Sequence, residues 1–411
     1  MGETEIGVYT ELPGGKTPVR VGTLWAGGKA GAKFEYDTAW LVHPQGYELQ
    51  PSLPLVRGVQ YTPHSLFGCM ADSCPDRWGR TLMKRAEAAR AREAGERLRW
   101  MSEADCLLRV CDVARQGALR YSLDGGATFL DNSLENAVPP LVDLRRLQHA
   151  VDNTVKERES DADLRLLLTP GSSLGGAWPK ACVRDERGRL CIAKFSRADQ
   201  DYDVVAWEAV ALKLANEAGL SVPPFHLETL VVGGTRRHVL IEEKFDRGSA
   251  NGRIPYLSAM SMLDAEDGDR RSYLELAETM QTACIDYERQ LHELWRRMAF
   301  NYLVSNTDDH MRNHGFIRMH PGGWELSPLF DVNPSPPDVA PLDRATPLTP
   351  EGDAVNRDSL LDACAYFHLR LAEAQEAWKL LSRAVAGWRS AASSFRIPQR
   401  EQDRMADAFA L

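Results

Sequence analysis

Two polar side chains, Asp308 and Asn313, stand five residues apart in the C-terminal half of the chain. An Asp-x-x-x-x-Asn loop can orient an attacking hydroxyl through its carboxylate and hold a metal through its amide, as the catalytic loop of kinases does. A second carboxylate, Asp331, follows after a predicted pair of strands and could supply the other side of a magnesium site. This spacing predicts phosphoryl transfer, which requires an ATP-binding element elsewhere in the chain.

Upstream segments have the composition that such an element needs, in the order found in protein kinases. Residues 169–180 form a glycine- and serine-rich loop whose backbone N–H groups could surround phosphate oxygens. An alternating, strand-like run ends near Lys194, and Glu208 lies in a predicted helix after it, which are the strand lysine and helix glutamate of a phosphate site. Residues 238–246 then predict a strand that runs into a polar linker, where a hinge would meet adenine.

Each element has an ordinary structural explanation when it is taken alone. A serine-rich loop is commonly a turn, a strand lysine is commonly solvated, and residues 306–308 could simply cap a helix. Five elements in one order, at workable spacings, favour the kinase interpretation. His310 is left with two roles, either contacting ATP or bracing the loop.

Several motifs together resemble the HipA family of serine/threonine kinase toxins. They lie in the kinase core at residues 172–180, 243–247, 306–316 and 326–332. Two further segments, 9–24 and 74–80, are similar to the small β-rich domain that precedes the kinase core in that family, and they are less specific. The resemblance covers most of the chain.

The resemblance implies a role for each matching residue. Asp308 would be the catalytic base, and Asn313 and Asp331 would hold Mg²⁺. The residues implied to bind ATP, through its phosphates or its adenine, are Gly175, Gly176, Ala177, Trp178, Pro179, Lys180, Lys194, Glu243, Lys244, Phe245, His310, Asn313 and Asp331.

Family members can phosphorylate a serine of their own phosphate loop, which ejects the loop and shuts off the kinase. The matching residue here is Ser173, and Ser172 beside it is a second candidate acceptor. The sequence departs from some members in having Trp178 and Pro179 before the loop lysine and Asp309 after the catalytic aspartate. Proline stiffens the loop, which bears on how readily it moves.

We therefore expect a protein-kinase-like, two-lobed α/β (α+β) fold with an N-terminal β-rich subdomain and a mainly helical C-terminal lobe. The predicted domains are residues 1–115, 116–245 and 246–411. The resemblance implies the toxin of a toxin–antitoxin pair, with a small DNA-binding, HipB-like antitoxin as partner and a protein substrate, possibly an aminoacyl-tRNA synthetase. Two alternatives remain open: a small-molecule phosphotransferase, and a non-catalytic co-repressor scaffold.

Composition limits the remaining classes. The chain has 411 residues and no apolar stretch near eighteen residues, and its N-terminus lacks a signal pattern, so we expect a cytoplasmic protein without a membrane span. A net charge of −9 argues against direct nucleic-acid binding, except through the antitoxin. Eight cysteines in such a chain indicate reduced thiols, and their spacing does not favour zinc.

Overall fold

A computed structural model describes residues 3–12, 17–28, 31–129, 138–139, 141–168, 176–248, 251–320, 322–339 and 344–409. The fold mixes helices with antiparallel sheets, as expected. The strands are β1 Thr4–Thr10, β2 Val19–Ala26, β3 Ala32–Tyr36, β4 Gln60–Thr62, β5 Leu119–Ser122, β6 Lys180–Arg184, β7 Leu190–Phe195, β8 Phe225–Val232, β9 Thr235–Glu243, β10 Tyr256–Ser258, β11 Gly315–His320 and β12 Gly323–Leu326.

The helices are concentrated in the second half of the chain. They are α1 Thr38–Leu41, α2 Gly68–Ala71, α3 Arg77–Ala94, α4 Glu103–Leu108, α5 Leu144–Val155, α6 Asp161–Leu168, α7 Val204–Glu217, α8 Ala259–Met262, α9 Tyr273–Ala283, α10 Tyr287–Leu303, α11 Arg357–Asp362, α12 Leu371–Val385, α13 Trp388–Ser394 and α14 Gln399–Arg404.

The strands of the described chain form sheets with the orders β4-β3-β2-β1-β5, β6-β7-β9-β8 and β10-β11-β12. The chain divides into two compact units. The first comprises residues 1–199, 229–237 and 241–257, and the second comprises 200–228, 238–240 and 258–411. Strands β8, β9 and β10 thus contribute residues to both units. The three-part division made from the sequence stays a prediction.

In the first unit, the N-terminal sheet follows the predicted pattern of short strands and hairpins. Strand β1 pairs antiparallel with both β2 and β5, with Ile6 opposite Leu24 and Val8 opposite Tyr121. These four side chains are fully buried, because alternate residues of a strand face the same side of the sheet. The alternation of apolar residues therefore fixes which face of this sheet carries the core.

Strands β6 and β7 also belong to the first unit, and their register determines the candidate site. Lys180 lies opposite Lys194, Cys182 opposite Ile192, and Arg184 opposite Leu190. These six side chains share one face of the sheet, since each strand has a two-residue period. Cys182, Leu190 and Ile192 belong to a buried apolar cluster in the middle and at one end of that face. The two lysines lie at its other end.

The second unit is built around α10. Its residues Leu291, Leu294, Trp295 and Met298 recur at helical spacing and are almost completely buried. The Trp295 indole N–H donates a hydrogen bond to the Leu360 carbonyl at 2.9 Å, which satisfies the polar atom of this buried ring. Helix α10 packs against α9 and α12. This packing fixes the end of α10, from which the candidate catalytic loop departs.

Near the C-terminus, α12 buries Ala374, Leu381 and Val385, whereas Leu371 at its start is exposed. No helix among the described residues is long and apolar enough to cross a membrane. All eight cysteines are buried as free thiols.

Candidate active site

The described part of the phosphate loop begins at Gly176, so Gly175, Ser172 and Ser173 lie outside the described residues. Gly176 has a φ of +99°, a conformation that favours glycine. Ala177, which follows, is exposed. The loop therefore enters strand β6 through a left-handed residue.

Trp178 and Pro179 connect the end of the phosphate loop to the strand that carries Lys194. The Trp178 indole N–H donates to the Phe195 carbonyl at 2.9 Å, and the Phe195 N–H donates to the Pro179 carbonyl at 3.0 Å. The guanidinium of Arg197 lies 5.5 Å from the centre of the Trp178 ring. These contacts give the unusual Trp-Pro pair a structural role: it holds the start of β6 against the end of β7.

Lys180 and Lys194 lie directly opposite each other on β6 and β7, and both are buried. Like charges in this arrangement are destabilising, so each needs compensation. Lys180 Nζ lies 2.9 Å from Asp76 Oδ2, and Lys194 Nζ lies 3.1 Å from Glu242 Oε2. Two cations thus share one sheet face, and each is held by its own carboxylate.

Asp76 ties this lysine pair to helix α3. Its Oδ1 accepts a hydrogen bond from the Gly79 N–H at 2.7 Å and caps the helix, while its Oδ2 holds Lys180. Another backbone donor in the first turn of this helix, the Trp78 N–H, lies 3.4 Å from the Gly176 carbonyl. One helix terminus thus contacts both the loop and the loop lysine.

The predicted hinge lies at the end of β9, and its three residues point in different directions. Glu243 faces outward and pairs with Arg189. Lys244 is buried, donates to Gln116 Oε1 at 2.9 Å and pairs with Asp246 at 3.2 Å, and burial lowers the pKa of its ammonium group. The Lys244 backbone is also engaged, since its N–H donates to the Leu190 carbonyl at 3.0 Å and its carbonyl accepts from the Arg247 N–H at 3.2 Å. Phe245 is half-buried, and its ring centre lies 6.0 Å from that of Tyr256.

In the second unit, the predicted catalytic loop follows directly after α10. The Asp308 side chain is exposed, whereas its backbone carbonyl accepts hydrogen bonds from the His310 N–H at 2.9 Å and from Asn313 Nδ2 at 3.0 Å. The Asn313 N–H in turn donates to the His310 carbonyl at 2.8 Å. The loop is closed by its own polar groups, and Asp308 is exposed on it. His310 braces the loop through its backbone, and the role of its imidazole stays open.

Buried contacts of Asp309 hold this loop in place. It is buried, accepts a hydrogen bond from the Tyr273 hydroxyl and lies 3.0 Å from His314 Nε2. Burial by itself would raise the pKa of the Asp309 carboxyl, but the His314 charge and these hydrogen bonds outweigh it, so the pKa is lowered. The aspartate that departs from the family pattern therefore stabilises the loop as a buried anion.

Asn313 and Asp331 have the features expected of cation ligands. Asn313 Oδ1 is buried, and no described residue donates a hydrogen bond to it. Asp331 has a φ of +59°, in the left-handed region that non-glycine residues seldom occupy and that clusters at functional sites. A backbone bridge pairs Asn306 of the loop with Pro334 of the segment after Asp331. These oxygens are of the type that Mg²⁺ prefers.

Proteins commonly supply only one or two of the ligands of a bound Mg²⁺ ion, and phosphate and water supply the others. The described residues contain no cluster of three or more histidine, cysteine or acidic side chains placed to hold a metal. The site thus fits magnesium bound together with a nucleotide. It does not fit an all-protein metal cage. Glu208 is buried on α7 in the second unit, and its pairing with Lys194 stays a prediction.

Sequence reasoning missed several residues around the predicted ones. Asp76 was noticed only as part of an N-terminal motif, although its position just before a predicted helix was a signal for a cap. Glu242 was passed over for its neighbour Glu243, yet the two-residue period of β9 puts only Glu242 on the Lys194 side. Nothing in the sequence indicated that Tyr273 and His314 would meet Asp309.

Comparison with known proteins gives an independent result. A family model described as a HipA-like C-terminal domain matches residues 172–395, and a second one, described as a HipA N-terminal domain, matches residues 17–107. A Haemophilus influenzae protein named as a putative kinase is 24% identical over 144 residues, which are 31% of this chain and 41% of that protein. The chain thus matches about two fifths of the length of this relative.

Among solved structures, a chain in the Shewanella oneidensis MR-1 complex of HipA, HipB and operator DNA has a TM-score of 0.68 with this one. The two are 17% identical, and the alignment covers 98% of this chain and 95% of that one. At this identity the likeness concerns the fold, and it confirms the predicted kinase-like α/β architecture. Because the C-terminal family model alone matches more than half of the chain, the protein belongs to the HipA family.

Proposed function

We propose that this protein is an ATP-dependent serine/threonine protein kinase that acts as the toxin of a toxin–antitoxin pair. The observation that carries the proposal is the loop 306–313. It holds an exposed Asp308 and a buried Asn313 amide oxygen, which has no donor among the described residues, through hydrogen bonds from its own backbone and from the Asn313 amide nitrogen. A kinase needs these two groups on one rigid loop. A structural turn has no need to leave a buried amide oxygen without a donor.

In this proposal, phosphoryl transfer proceeds by in-line displacement. The hydroxyl oxygen of the acceptor forms a bond to the γ-phosphorus as the bond from that phosphorus to the β–γ bridging oxygen breaks, and ADP leaves. Asp308 accepts the hydroxyl proton. Proton transfer to such a group typically contributes on the order of 10² to 10⁴ in rate.

The remaining rate enhancement comes from positioning and charge neutralisation, since the protein has little covalent work to do in this reaction. Lys180 and Lys194 would contact phosphate oxygens from their shared sheet face, and the backbone from Glu243 to Phe245 would receive adenine. Asn313 and Asp331 would hold Mg²⁺, which neutralises the charge on the phosphates when it is bound.

Regulation and partners are part of the same proposal. Ser173, or Ser172 beside it, would be autophosphorylated, and the added negative charge would prevent the loop from binding ATP phosphates. A small DNA-binding antitoxin would restrain the kinase. Its target would be a cellular protein, possibly an aminoacyl-tRNA synthetase.

The autophosphorylation part is tested by the intact mass of purified wild type and Asp308→Ala after incubation with Mg²⁺ and ATP, starting from dephosphorylated protein. We expect one phosphoryl mass on wild type alone, mapped by fragmentation to Ser172 or Ser173. If wild type gained no mass but still phosphorylated other proteins, the autophosphorylation proposal would be wrong and the kinase proposal would be unaffected.

Two measurements distinguish the proposed function from its two alternatives: the identity of the phosphate acceptor and the growth of the host. A small-molecule phosphotransferase would transfer label from ATP to metabolites of a cell extract, whereas we expect label on extract protein. If the protein were a non-catalytic scaffold, wild type and Asp308→Ala would have the same effect on the growth of a host without antitoxin, whether toxic or harmless. We expect growth arrest from wild type only, with relief when the antitoxin is co-expressed.

A further inference from the structure

A small cavity in the first unit, remote from the lysine pair, is lined by four arginines among nine residues. Its volume is about 200 Å³, and the charged side chains that line it are Glu11, Asp112, Arg120, Arg184, Arg247 and Arg253. This volume lies below the roughly 300 to 1,000 Å³ of sites for drug-sized ligands, so the cavity suits a small ion or a short metabolite.

Two of the arginines are neutralised by the two carboxylates. Arg120 lies 2.5 Å from Asp112 and 3.2 Å from Glu11. Arg253 lies 3.0 Å from Asp112 and 3.4 Å from Glu11. This group of four is balanced in charge.

The other two arginines leave a surplus of positive charge. Arg247 lies 2.6 Å from Asp246, but the same carboxylate also serves the buried Lys244 at 3.2 Å. The Arg184 guanidinium donates to the Gly188 carbonyl at 3.1 Å and forms no ion pair with a described carboxylate. Five cations thus meet three carboxylates around the cavity, namely the four arginines and Lys244 against Glu11, Asp112 and Asp246.

Burial also leaves Arg253 incompletely hydrogen-bonded, although its charge is paired. Arg253 is buried, and desolvation, assisted by repulsion from Arg247 and Arg120, lowers its pKa to about 10 although Asp112 opposes the shift. Its Nη1 has no hydrogen-bond partner among the described residues. Since a guanidinium stays protonated at neutral pH, the buried Nη1 donor of Arg253 favours a further acceptor, and the surplus charge of Arg184 and Arg247 favours an anionic one.

We propose that this cavity binds a small phosphate-class oxyanion, namely inorganic phosphate or the phosphate group of a short metabolite. Planar guanidinium groups match the geometry of phosphate oxygens and bind them through paired hydrogen bonds. The bound ion would join the end of β6, through Arg184, to β5 and to the segment that follows β9. The proposal does not depend on kinase activity.

The cavity is distinct from the proposed ATP phosphate site on the same sheet face. Arg184 and Lys180 stand at opposite ends of β6, four residues apart. At about 3.3 Å per residue, their Cα atoms are separated by roughly 13 Å. The Lys180 ammonium group is held 2.9 Å from Asp76 and does not line the cavity, so substitutions at the two ends of the strand should have separable effects.

The test is titration of inorganic phosphate into the full-length protein by calorimetry at constant ionic strength. We compare wild type with Arg184→Gln and with Arg187→Gln, an exposed neighbour that does not line the cavity. Arg184→Gln should weaken phosphate binding roughly ten- to a hundredfold, the effect of one lost charge-assisted hydrogen bond, and Arg187→Gln should not. Lys194→Met should retain binding.

Equal affinity in wild type and Arg184→Gln would overturn the proposal, as would loss of binding in Lys194→Met or no binding by wild type at millimolar phosphate. As a second measurement, phosphate should raise the melting temperature of wild type more than chloride does at equal ionic strength, and this difference should vanish in Arg184→Gln. Titration with glycerol 3-phosphate beside inorganic phosphate then identifies which source of the phosphate group binds tighter.

Discussion

The most exacting prediction about the fold of the site concerns the buried ion pair between Lys180 and Asp76. Both side chains are 2% exposed, and Nζ lies 2.9 Å from Oδ2. Asp76→Asn keeps a side-chain oxygen for the cap of α3, and asparagine caps helices about as well as aspartate. The substitution therefore removes the charge of the carboxylate that lies 2.9 Å from the buried lysine.

Breaking a buried pair from one side typically costs about 3 to 5 kcal/mol. We expect Asp76→Asn to lower the free energy of unfolding by about 3 kcal/mol, measured by urea denaturation and circular dichroism. The matched control is Asp37→Asn, because Asp37 caps α1 through the Ala39 N–H at 2.9 Å, and its other partner is the half-exposed Arg20. This control should change stability by less than about 0.5 kcal/mol.

A double-mutant cycle isolates the pair. Lys180→Met removes the other charge, so the double variant should be more stable than Asp76→Asn alone, with a coupling of about 2 kcal/mol or more. Additive effects of the two substitutions would refute the idea that the charges are buried and mutually dependent, and with it the account of how α3 holds the loop lysine.

Three further predictions concern other parts of the chain. A hydrogen bond from Arg90 lowers the pKa of Glu87 to about 2, so its carboxylate stabilises the fold fully above its unfolded pKa near 4.3, and the stability advantage of wild type over Glu87→Gln should shrink as pH falls toward 2. Trp178→Phe removes the donor to the buried Phe195 carbonyl and should cost about 1 to 3 kcal/mol by urea denaturation. Asp331→Asn should weaken ATP binding at least about tenfold in calorimetry with Mg²⁺ and leave it unchanged without Mg²⁺.

Each of these has a control in the same chain. For Glu87→Gln the control is Glu93→Gln, on the exposed side of the same helix α3. Trp100→Phe should be neutral because that ring is exposed. Asp338→Asn, a surface substitution in the second unit, should leave the magnesium dependence of ATP binding intact. Equal effects of a test substitution and its control would contradict the corresponding prediction.

Local patterns in the sequence predicted those strands and loops that depend on residues close together in the chain. The alternation of residues 190–195 placed Lys194 on a strand, and the spacing of Asp308 and Asn313 indicated a loop that the structure closes through a hydrogen bond between these two residues. The strand pair predicted before Asp331 is present as β11 and β12. Each of these features is set by residues close together in the chain.

Contacts between residues far apart in sequence could not be predicted in this way. The register that places Lys180 opposite Lys194 depends on the sheet as a whole, and the partner of Lys180 comes from the start of α3. Burial of the Lys244 side chain depends on Asp246 and on Gln116, which lies in a distant segment. Composition alone does not distinguish such a lysine from a solvated one, because its burial depends on which carboxylates fold against it.

The central claim is that Asp308 is the base of an ATP-dependent protein kinase. The most direct measurement is transfer of labelled γ-phosphate from ATP to extract protein by wild type and by Asp308→Asn, with nucleotide affinity determined in parallel. We predict that Asp308→Asn binds ATP with wild-type affinity and transfers phosphate about 10² to 10⁴ times more slowly. Transfer at near the wild-type rate by this variant, or no ATP-dependent transfer by wild type, would contradict the account.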